Sequence, residues 1–148
     1  MSVSDSDNAD LFDGFGNGSH HLWVVCDPDW RPYDAGNAWY LELDFHSRDW
    51  NALFKDELHC PDYDSNETRE RNYEIFRQSL PNYPMLGRIW DNYMDYRFTP
   101  EQIVMLRSEC LKLKAGVCDM EVLKALRKLI YACGEASRTG CSLIFVCD

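Results

Sequence analysis

Apolar and polar residues alternate cleanly from Ala38 to His46: Trp39, Leu41, Leu43 and Phe45 point one way, and Tyr40, Glu42, Asp44 and His46 the other. A period of two over this length predicts a half-buried β-strand. The run His21–Cys26 (His-Leu-Trp-Val-Val-Cys) reads as a shorter strand ahead of it. Between them Asp27–Gly36 carries two prolines and a glycine, which predicts a loop and makes the two strands a long-looped hairpin.

The period then changes to 3.6. Trp50, Leu53, Phe54 and Leu58 share a helical face, with Ser47 or Asp49 as the N-cap. Tyr73, Phe76 and Leu80 mark a second helix, stopped by Pro81. Pro84 suits the first turn of a third, which would bury Leu86, Ile89, Trp90 and Tyr93. Thr99-Pro100-Glu101-Gln102 combines an N-cap, a first-turn proline and a capping-box glutamine. The helix it opens puts Ile103, Leu106, Cys110 and Leu113 on one face and ends at Gly116. Asp119 caps a last helix with Leu123, Leu126, Leu129, Ile130 and Cys133 inward, and Lys124, Arg127, Lys128 and Arg138 on a polar stripe. After Gly140, the apolar run Cys141–Cys147 predicts a strand buried on both faces.

The fold class that follows is α+β. A small, mostly antiparallel sheet, made of the N-terminal hairpin and the C-terminal strand, packs against about five helices. Residues 1–20 are polar, acidic and glycine-dotted, which predicts a disordered tail ahead of a single domain over 21–148.

Charge changes the picture. Residues 1–64 hold 14 acidic and 3 basic side chains, a net of −11, whereas residues 65–148 net +1. Such a field repels nucleic-acid phosphates and anionic lipid and favours a basic protein partner. No stretch is long and apolar enough to span a bilayer, and the start lacks the character of a signal peptide. Seven cysteines at scattered spacing, with no Cys-x-x-Cys, suit a reducing cytosol, so the expected location is cytoplasmic.

Two segments combine rings with carboxylates: Asp27, Asp29, Trp30, Tyr33 and Asp34 in the proline-bounded loop, and Asp91, Asp95 and Tyr96 at the expected end of the third helix. A ring flanked by acids can fill a pocket of a basic partner while the acids meet its cations. The alternative is that Trp30 and Tyr33 fold back on the sheet.

The candidate chemistry is thin. Asp44 and His46 share a strand face near Asp49, and His59 stands beside Cys60 ahead of Asp62 and Asp64. A His beside carboxylates could bind zinc or act as a proton shuttle, and Cys60 beside His59 could act as a thiolate, so either pair could serve a small hydrolase. The competing reading is a solvated face running into a helix N-terminus, with Asp49 favourably placed at the dipole. The spacing argues against a zinc site, and no cofactor is expected.

The stretch from Leu86 to Tyr93, followed by Tyr96, Thr99-Pro100-Glu101 and the helix through Leu111, resembles a pattern in small bacterial proteins. Small, acidic, α+β and motif-poor, the chain also resembles the immunity proteins of bacterial toxin systems. That resemblance implies a non-enzymatic module that neutralises a partner by tight acidic binding.

Overall fold

The structure, a computed structural model, describes residues 20–25, 39–45, 47–58, 66–89 and 95–147. The expected tail lies outside them except for His20, which opens the first strand. Strand β1 (His20–Val25) pairs antiparallel with β2 (Trp39–Phe45), setting Leu22 opposite Leu43 and His21 opposite Asp44. On its other side β1 pairs antiparallel with the C-terminal strand β4 (Ser142–Cys147), which places Leu22 opposite Phe145. A three-residue strand, β3 (Tyr96–Phe98), adds to the far edge of β4, so the order among the described residues is β2-β1-β4-β3.

Side chains alternate across each strand. Leu22, Val24, Leu43, Phe45, Phe98, Leu143 and Phe145 therefore share one face and join the main core. Phe45 and Phe145 meet edge-on across the sheet, with ring centroids 5.7 Å apart. On the opposite face Val25, Ile144 and Val146 are also buried, as a second small cluster. Strand β4 is thus buried on both sides, which is why its sequence is apolar throughout.

Helix α1 (Ser47–Asn51) runs on as a wider, π-type turn (Ala52–Glu57). It buries Trp50, Leu53, Phe54 and Leu58, the face that the 3.6 period marks. Helix α2 (Asn66–Ser79) buries Phe76, and α3 (Pro84–Ile89) buries Met85, Leu86 and Ile89. Leu80 lies so close to Gly87 that a Cβ at that position would overlap its side chain. Helix α4 (Pro100–Ala115) opens with the full capping box: Gln102 N donates to Thr99 Oγ1 at 3.3 Å, and Thr99 N to Gln102 Oε1 at 3.0 Å. Helix α5 (Met120–Thr139) is capped by Asp119, whose Oδ1 accepts from Glu121 N and Val122 N. It ends at Gly140, in the left-handed region at φ 71°. Helix α5 packs on the sheet and against α1 and α4.

Three sequence expectations need correction. Tyr96 does not end the third helix: it opens strand β3 (Tyr96–Phe98), while Trp90 and Tyr93, expected in that helix, lie outside the described residues. Lys128 is not on a polar stripe but buried, with Nζ 2.7 Å from Asp49 Oδ2. Asp49 accordingly is neither a cap nor a solvated acid; it is buried and ties α1 to α5.

Candidate functional site

The face of the β1–β2 hairpin turned away from the helices gathers polar side chains. Register sets His21 directly opposite Asp44, and Glu42 lies two residues along β2 on the same face. His21 Nδ1 is 3.1 Å from Asp44 Oδ1 and 3.3 Å from Glu42 Oε1. One donor atom from each residue falls within 4.8 Å of the other two. His21 and Asp44 are half-buried and Glu42 is exposed, so the cluster opens to solvent.

Asp44 was a sequence candidate, but its partner is not the expected one. The imidazole beside it is that of His21, from the neighbouring strand; His46 lies outside the described residues. Asp49 is committed to Lys128, away from this cluster. His59, Cys60, Asp62 and Asp64 lie outside the described residues. Alternation within one strand could not reveal His21, because the pairing that delivers it is set by hairpin register.

The described cysteines are sorted by burial. Burial pushes the Cys110 thiol well above its ordinary range, with Cys133 and Glu109 adding to the effect. Burial likewise lifts Cys133 to about 12, against the opposing pull of Arg107. Both are free, protonated core residues at neutral pH, without nucleophilic character. Cys118 is free and exposed. Cys141, by contrast, is disulfide-bonded. At Cys141 the thiol state thus differs from what scattered cysteine spacing suggests, while Cys110, Cys118 and Cys133 remain free.

Of the expected partner-binding residues, Asp27, Asp29, Trp30, Tyr33, Asp34 and Asp91 lie outside the described residues. Asp95 is exposed at the start of β3, and Tyr96 is half-buried against the main core. The chain runs from there through Thr99 into α4, whose outer side carries an apolar surface the sequence reading passed over. Val104 is 61% exposed, Met105 46% and Leu111 40%, while Met120 at the start of α5 is 57% exposed. A groove of ≈ 540 Å³ runs between α4 and α5, lined by Val104, Arg107, Ser108, Leu111, Gly134 and Ser137. The signal was in the sequence: Val104, Met105 and Leu111 do not belong to the inward stripe of Ile103, Leu106, Cys110 and Leu113.

Among the described residues no helix is long and apolar enough to cross a membrane. Comparison of the chain with protein-family models, with curated proteins and with solved structures finds no match.

Proposed function

We propose that this protein is a non-enzymatic, acidic protein-binding module whose partner is a basic protein. The observation that supports this best is the start of α4, where exposed Val104 and Met105 follow exposed Glu101 in the same two turns, with exposed Asp95 just upstream. Apolar side chains left in water beside carboxylates suit a partner that offers an apolar pocket rimmed by Lys or Arg. The acid-flanked rings Trp30, Tyr33 and Tyr96, with Asp27, Asp29, Asp34 and Asp91, extend the same recognition chemistry in this reading. The net −11 over residues 1–64 speeds the encounter. The resemblance to immunity proteins implies the same mode of action, neutralisation by occupying a basic surface.

The test is affinity capture from a lysate of the native host, at low and at high salt, with the natural chain and with a Val104→Ser, Met105→Ser variant. The expected result is a basic protein held at low salt, released at high salt, and lost from the variant while the variant's thermal midpoint is unchanged. Equal capture by both chains, indifferent to salt, would sink the proposal.

A further inference from the structure

We propose that His21, Glu42 and Asp44 form a binding site for a divalent transition-metal cation of the zinc type. The proposal goes beyond protein binding and stands apart from the α4 surface. It rests on how the three donor atoms are arranged. Both carboxylates are directed at one atom, His21 Nδ1, at 3.1 and 3.3 Å. An imidazole nitrogen carries at most one proton, so a single N–H would have to be shared between two acceptors. Two carboxylates two residues apart on one strand face also repel each other. One cation between the three groups resolves both problems, taking the nitrogen lone pair and one oxygen from each acid.

The spacing fits. Zinc bonds of about 2.0–2.1 Å to His nitrogen and carboxylate oxygen, arranged tetrahedrally, hold neighbouring donors roughly 3.3 Å apart. The two measured separations lie near that value before any adjustment of the side chains. The donors are also carried by paired strands with a fixed register, not by a loop, so little ordering is needed on binding. The donor set points to the kind of ion. One imidazole with two carboxylates suits zinc and its first-row neighbours, whereas calcium asks for six to eight oxygens, as a general rule. Three protein ligands leave a fourth, solvent-facing position for water or a partner's side chain.

The experiment titrates the metal-free full chain with Zn²⁺ and, separately, with Ca²⁺ by isothermal calorimetry, and follows the thermal midpoint alongside. The expected result is one Zn²⁺ per chain, a raised midpoint, and no comparable response to Ca²⁺. His21→Ala, Glu42→Gln and Asp44→Asn should each weaken Zn²⁺ binding by at least about tenfold, since even outer partners of metal ligands are worth that much. Cys118→Ser, which removes an exposed thiol, should leave binding unchanged. Three outcomes would each overturn the proposal: no Zn²⁺ binding, binding untouched by His21→Ala, or binding abolished by Cys118→Ser. Equal binding of Ca²⁺ that ignores His21→Ala would reduce the site to an acidic surface and overturn it too.

Discussion

Lys128 and Asp49 meet at 2.7 Å with side chains only 3% and 2% exposed, 79 residues apart in the chain. An ion pair taken this far out of water gains little over a well-packed apolar pair, but breaking it strands a buried charge. Lys128→Met alone should therefore cost about 3–5 kcal/mol, and Asp49→Leu with Lys128→Met together far less, as read from urea unfolding of all members of a double-mutant cycle. Additive losses would mean the two charges do not depend on each other. Glu109 is a second buried charge, placed where it caps another helix: its carboxylate accepts from Met85 N and Leu86 N at the start of α3. Burial raises its pKa above the ordinary 4.5, outweighing the lowering by those hydrogen bonds and by Lys112. The folded chain thus holds the Glu109 proton more tightly than the unfolded chain does. This contribution to stability is present at low pH and is lost as pH rises from about 4.5 through the raised value. Glu109→Gln removes the titration. Its stability relative to the natural chain should rise across that window and then level off, as denaturant midpoints at stepped pH will show. Asp49, Lys128, Glu109 and His21 all escaped the sequence reading for one reason: each finds its partner in a distant segment, and local spacing carries no information about that.

At the scale of elements the sequence was far more informative. Alternation over Trp39–Phe45 marked β2, and the apolar run at the C-terminus marked β4. Thr99, Asp119 and Gly140 each sit at the helix boundary that capping chemistry assigned to them. What failed was short or bordered on something else. Strand β3 has three residues, too few for any period to show, and it exists because β4 offers it an edge. The π-type turn after α1 keeps the same apolar face as a regular helix and leaves no mark of its own in the pattern. The Thr99 cap is the local signal with the sharpest test. Its hydroxyl accepts Gln102 N while the Gln102 side chain returns the bond. Thr99→Ala should lower stability by about 1 kcal/mol, and Thr99→Ser by much less, because serine retains the acceptor. Equal losses in thermal or urea unfolding would show that the β-branch, not the hydroxyl, holds this turn.

For the whole molecule, the α+β class and the placing of β4 beside the N-terminal hairpin followed from element order and from the apolar run of β4. The thiol state did not follow, because cysteine spacing reports neither proximity nor redox history. Cys141 is buried at the entrance to β4, the strand that sits between β1 and β3, and it is disulfide-bonded. Cys110, Cys118 and Cys133 are free, so none of these three is its partner. A cross-link acts on the entire chain, since it removes conformations from the unfolded state as much as it braces the folded one. Native disulfides typically contribute about 2–4 kcal/mol, and in a chain of this size each kcal/mol moves the thermal midpoint by roughly 2–4 °C. Reduction with a dithiol should therefore lower the midpoint by about 5–15 °C. Thiol titration of the unfolded, unreduced chain should find no more than five of the seven cysteines reactive, and Cys141→Ser should show the low midpoint without reductant. Seven reactive thiols before reduction, or a midpoint that ignores the dithiol, would leave the sheet held by packing alone.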